Sequence, residues 1–138
     1  MHCYQITYHE SSGGRVLSVD YTDLVGELAK KHNLKLHIDE PRIFNAYVAL
    51  GVSVRRLVQA ADSVSVCLSK GLGAPVGSVI VGTKSFIDKA RILRKNFRWG
   101  NETGGNEGIL CAGALAALKE NVGKLGNDHK NAKTLAWK

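Results

Sequence analysis

Ser63-Val64-Ser65-Val66-Cys67-Leu68, followed directly by Ser69-Lys70-Gly71-Leu72-Gly73-Ala74-Pro75-Val76-Gly77, is the stretch on which the fold of this chain turns. The first six residues predict a strand. The next nine set one lysine ahead of glycines and a proline, which is loop composition. A lysine at the end of a buried strand is unlike a surface lysine. Desolvation disfavours its charged form and lowers its pKa. The neutral amine is then a nucleophile toward carbonyl carbon. The glycines allow backbone to approach a ligand without Cβ collisions. A solvated lysine at the start of a loop is the alternative, because lysine is rarely buried.

On the N-terminal side, a polar loop begins near His9 and contains Gly13-Gly14, and Arg15–Val19 reads as a short extended piece. Asp20 is placed to cap a helix, with Asp23 in a weak capping box. Leu24, Val25 and Leu28 form the apolar stripe of that helix, and Lys30, Lys31 and Asn33 close it. Leu34–Asp39 alternates like a strand and ends on Asp39. Ile43–Leu50 and Val54–Ala60 are predicted helices. On the C-terminal side, Val76–Val81 is a near-continuous apolar run, expected as a buried strand. Phe86–Arg94 is predicted helical, and Gly100–Gly108 irregular. Ile109–Leu118 is apolar and alanine-rich, expected as a buried helix. Asn121–Lys138 is polar, with a helix near its end. Strands alternating with helices predict an α/β layer fold.

The 138 residues, 44% hydrophobic, suffice for one modest core. No apolar run is long enough to span a bilayer, and the first residues show no signal-peptide h-region. Three scattered cysteines make neither a disulfide framework nor a zinc site. Cys67 and Cys111 lie in apolar runs and are expected as small buried hydrophobes. The net charge of +7 is dispersed over predicted helix ends, where it complements helix dipoles, so neither nucleic acid nor membrane is expected as a partner. The histidines show no metal-ligand spacing. A reducing compartment is expected, cytoplasmic or mitochondrial.

In open α/β sheets ligands bind beyond the carboxyl ends of the strands. Asp39 and Lys70 both fall at such ends. A carboxylate and an amine so placed suit pyridoxal 5'-phosphate: the amine holds the aldehyde as a Schiff base, and the carboxylate keeps the pyridine nitrogen protonated. Arg42 is close enough in sequence to reach a carboxylate or a ring oxygen through its planar fork. Each residue also has a plainer reading. Asp39 could cap a helix that begins at Pro41, Arg42 could be a solvated helix residue, and His9 a solvated loop residue. His37 is expected to pack within the sheet.

His37-Ile38-Asp39, Arg42-Ile43-Phe44-Asn45-Ala46, Asp62-Ser63-Val64 and Cys67 through Gly77 resemble the low-specificity L-threonine aldolases, and the block from Asp62 to Lys95 is the most specific part. These are pyridoxal phosphate-dependent lyases of the aspartate aminotransferase-like fold (fold type I). The resemblance implies cleavage of L-threonine or L-allo-threonine to glycine and acetaldehyde, in threonine catabolism and glycine formation. It implies Lys70 as the Schiff-base lysine and Asp39 as the partner of the pyridine nitrogen. It implies Arg42 in contact with the substrate carboxylate or the cofactor, and His9 near the substrate hydroxyl. It also implies a small amino-acid substrate and a homodimer or homotetramer.

The chain departs from the family pattern in three ways. Residues 1–138 are expected, from the resemblance, to correspond to part of the large, cofactor-binding domain, without the family's N-terminal phosphate-binding segment or C-terminal small domain. Asp39-Glu40-Pro41-Arg42 stands where the family reads Asp-Gly-Ala-Arg, which sets a second carboxylate next to Asp39 in sequence. Phe97–Gly104 stands where the family reads Leu-Gly-Gly-Gly-Met-Arg-Gln; plausible codons for it, read one base out of register, spell the family motif. Compensated frameshifts in the coding sequence are the expectation at both places. The alternative to an active lyase is a non-catalytic, pseudogene-like relic of one.

Overall fold

The computed structural model describes residues 3–6, 16–96 and 107–136. Its elements, in order, are β1 (Cys3–Ile6), α1 (Val19–Lys31), β2 (Lys35–Glu40), α2 (Ile43–Leu50), α3 (Val54–Leu57), β3 (Ser63–Cys67), β4 (Ser78–Gly82), α4 (Lys84–Asn96), α5 (Glu107–Asn121), a 3-10 turn (Val122–Lys124) and α6 (Leu125–Ala136). The predicted α/β layering is borne out. Four strands form one sheet in the order β1-β2-β3-β4. The first three run parallel and β4 is antiparallel to β3. A short loop, residues 68–77, joins those last two strands, and a parallel crossover needs a longer connection.

Strand order rises steadily along the sheet. With right-handed crossovers, such an order puts the connecting helices on one face. The core follows that rule. Ile38, Val64 and Val66 of the sheet pack with Ile43 and Ala46 of α2 and Leu57 of α3. Leu36 packs with Val25 and Ala29 of α1. The opposite face of β2 and β3 carries Lys35, His37, Asp39, Ser63, Ser65 and Cys67. It is this alternation, apolar toward the helices and polar away from them, that sets the register.

Several sequence expectations need correction. Ser18, not Asp20, caps α1: its side chain accepts from the Tyr21 backbone N–H. The buried side of α1 is Thr22, Val25, Gly26 and Ala29, whereas Leu24 and Leu28 are exposed. Small residues win that face because the helix lies close to Ala60, where even a Cβ on Gly26 would collide. The Val54 helix is a single turn rather than running to Ala60. β4 is an edge strand with Val79, Ile80 and Val81 44%, 50% and 54% exposed, not a buried one. Among the described residues it pairs with β3 alone. α5 is likewise exposed along most of its length. Among its described side chains only Ala117 is buried, so apolar composition all round the helix did not mean burial.

Candidate active site

Asp39 lies one residue before the end of β2, half-buried on the polar face. β2 pairs with β3 so that His37 stands opposite Ser63 and Asp39 opposite Ser65. Both pairs bond through their side chains. His37 Nδ1 meets Ser63 Oγ at 2.8 Å, and Ser65 Oγ donates to Asp39 Oδ1 at 2.5 Å. Asp39 is therefore a strand residue and not a helix cap: α2 begins at Ile43, with Arg42 at its N-cap. The expectation that His37 packs within the sheet holds. Glu40, adjacent in sequence, points to the other face and is fully buried. Its Oε1 accepts from the Arg42 backbone N–H at 3.0 Å. The two carboxylates thus lie on opposite sides of the sheet, as strand geometry requires.

Lys70 sits in loop 68–77, beyond the carboxyl end of β3, which neighbours β2. It is exposed. The burial expected for it from sequence is not found among the described residues, because the strand ends at Cys67, before the lysine. The loop itself is well anchored. Leu72 and Ala74 are buried, and Asn121 Nδ2 donates to the Leu72 carbonyl at 2.7 Å. Gly73 takes a left-handed conformation, φ 69°, which a side chain would resist. Backbone bonds from Leu68 N to Gly77 O and from Ala74 N to Leu68 O close its base. Arg42 is half-buried at the start of α2, close in the chain to Asp39. His9 and Phe97–Gly104 lie outside the described residues.

Cys67 ends β3 on the same face as Asp39. It is half-buried rather than a core hydrophobe, and its Sγ lies 3.3 Å from Ser69 Oγ. That hydrogen bond holds the thiol below the usual thiol range, while burial pushes the other way; the Ser69 backbone, Ser78 and the charge of Lys70 add to the lowering. Cys111 is exposed, again contrary to expectation, because α5 is largely uncovered. Ser65, Cys67 and Asn121 were not singled out from sequence as site residues. For Ser65 and Cys67 the one signal is the alternation Ser63-Val64-Ser65-Val66-Cys67, which gives a polar face to β3 but not the partner opposite each residue; Asn121 had none.

The donor set fits pyridoxal 5'-phosphate. A carboxylate accepts through several lone pairs, so the Ser65 hydroxyl does not exhaust it as a partner for a pyridine N–H. The amine beyond the next strand is of the right type to hold an aldehyde carbon.

The parallel strand order and the candidate site beyond the strand ends agree with the fold type I, aspartate aminotransferase-like α/β class. The chain superposes with a TM-score of 0.85 on the crystal structure of a Listeria monocytogenes protein provisionally named L-allo-threonine aldolase, at 23% identity, covering 96% of this chain and 36% of that one. Residues 3–138 match the family model described as beta-eliminating lyase, and the chain belongs to that family. It is 68% identical over 124 residues to an Arabidopsis thaliana protein named probable low-specificity L-threonine aldolase 2, covering 90% of this chain and 34% of that protein. It is 43% identical over 135 residues to the low specificity L-threonine aldolase of Escherichia coli O157:H7, covering 96% and 38%. The chain thus spans about a third of the length of the relatives it matches.

Proposed function

We propose that this chain forms the cofactor-binding core of a threonine aldolase-like lyase that converts L-threonine or L-allo-threonine to glycine and acetaldehyde with pyridoxal 5'-phosphate. The observation that carries the reading is the placement of Asp39 and Lys70. They lie at the carboxyl ends of paired parallel strands, with the carboxylate held on the polar face by Ser65. When bound, the cofactor supplies an electrophilic aldehyde and a ring that accepts electrons from the breaking Cα–Cβ bond. Asp39 would hold the cofactor through its protonated ring nitrogen, and Lys70 would supply the amine that holds its aldehyde. Arg42 would pair its guanidinium with the substrate carboxylate or the cofactor, and His9, near the substrate hydroxyl, would be the candidate base for its proton.

A second reading, a non-catalytic relic, draws support from the exposure of Lys70. An amine in water gains nothing from desolvation. The two readings separate on one experiment. Purified chain titrated with pyridoxal 5'-phosphate is expected to develop a visible absorption band that Lys70→Ala lacks, and then to release acetaldehyde from L-threonine. A chain with no Lys70-dependent band is the relic.

A further inference from the structure

We propose that Ser65 is a positioning residue that sets the Asp39 carboxylate for the cofactor's ring nitrogen. The role deepens the function proposed above and rests on Asp39 being the acceptor for that nitrogen.

Ser65 is fixed more firmly than a loop residue would be. Its neighbours Val64 and Val66 are buried in the core beneath the sheet. A slip of one residue would turn both into the polar face, so the register that sets Ser65 opposite Asp39 is enforced by the core itself. An aspartate carboxylate turns about a broad, roughly two-fold torsion. A hydroxyl on the adjacent strand, donating to Oδ1 at 2.5 Å, selects one orientation of it. A directional N–H···O bond to a flat ring depends on that orientation. When it is set on folding, the ordering cost does not fall on binding. The next rung of the same ladder, His37 with Ser63, repeats the arrangement at 2.8 Å and braces the polar face one step further from the strand ends.

A purely structural link between strands would weaken every ligand alike. A positioning role would weaken only ligands that use the ring nitrogen. The test compares dissociation constants of the 138-residue chain for pyridoxal 5'-phosphate and for the carba analogue in which CH replaces the ring nitrogen. The proteins are the unsubstituted chain, Ser65→Ala, Ser65→Thr, Ser65→Val and Asp39→Ala. Loss of one hydrogen bond to a carboxylate is expected to weaken the natural cofactor by roughly tenfold in Ser65→Ala and Ser65→Val. Ser65→Thr should keep its affinity, and the analogue should bind all the Ser65 variants as it binds the parent. Ser65→Ala binding the cofactor like the parent, while Asp39→Ala does not, overturns the positioning role and leaves Asp39 standing. Equal weakening for cofactor and analogue also overturns it. Parent-like binding by Asp39→Ala overturns the reading of Asp39 and this role with it. If Ser65→Ala does not fold, the Thr and Val pair decides, and equal affinities for the two count against the proposal.

Discussion

Gly71, the residue after Lys70, lies so close to the side-chain amide of Asn45 that a methyl group in its place would overlap the amide oxygen and sit 3.3 Å from Cγ. Asn45 belongs to α2 and does not swing away freely: its Nδ2 lies 3.2 Å from His129 Nε2 of α6. The lysine loop is thereby docked to two helices that follow it and precede it in the chain. Gly71→Ala must either displace the loop or break the Asn45–His129 bond. The expected cost is about 1–3 kcal/mol in urea unfolding, by overpacking. In an Asn45→Ala background the same substitution should cost less, by more than about 0.5 kcal/mol. Additive costs would show that the overlap is not what Gly71 relieves.

Cys67 is expected to alkylate at lower pH than an ordinary thiol, whose value is about 8.5, because the hydrogen bonds from Ser69 and Ser78 and the charge of Lys70 favour the thiolate. Peptide-resolved iodoacetamide labelling across pH measures this directly. Ser69→Ala should move the midpoint up, and Lys70→Gln should move it up by less. A midpoint unmoved by Ser69→Ala would mean that the hydrogen bond is not the cause.

Asp62 ties the start of β3 to the start of β2. It bonds Lys35 Nζ at 2.8 Å and the Leu36 N–H at 3.0 Å. Burial pushes its carboxyl up, but the bonds from Lys35 and Leu36 outweigh burial and leave it below the usual range. A depressed folded-state value stabilises the protein above the unfolded-state value, about 3.9, and that stabilisation fades as pH falls through the folded-state value. Asp62→Asn should therefore flatten the acid limb of stability against pH below about 4. The site is partly exposed, so the ion pair with Lys35 is worth less than about 1 kcal/mol. An acid limb unchanged in the variant would remove Asp62 as its source.

Leu57 is fully buried against Ile38, Val64 and Val66. Leu57→Ala is expected to cost about 2–5 kcal/mol, measured by thermal or urea unfolding. A loss under about 1 kcal/mol would show that the single-turn helix α3 does not help hold the sheet.

How much was legible in the sequence depended on whether a signal was local. The helix Ile43–Leu50 falls where its pattern predicts, and β2 and β3 differ from prediction by single residues. Alternation and turn residues are written within a few positions of the chain. The exposed β4, the uncovered α5 and the small-residue face of α1 were not legible. Apolar composition says that a surface can be buried, and only the arrangement of neighbours says whether it is. Within the site, Lys70 and Asp39 stood out by residue type and place, but the exposure of Lys70 followed from where β3 stops.

Sequence alone determined the α/β alternation, the strand-end positions of Asp39 and Lys70, and the family resemblance. These rest on residue identity and short-range periodicity, which survive without knowledge of any distant contact. Tertiary structure decided that the Ser65 hydroxyl meets Asp39 across the strands, and that Asn45 and Asn121 anchor the lysine loop. Each of these is a meeting of residues some 26 or more positions apart in the chain, set by strand register and helix docking. Those are properties of the folded whole, and no short stretch of residues encodes them by itself.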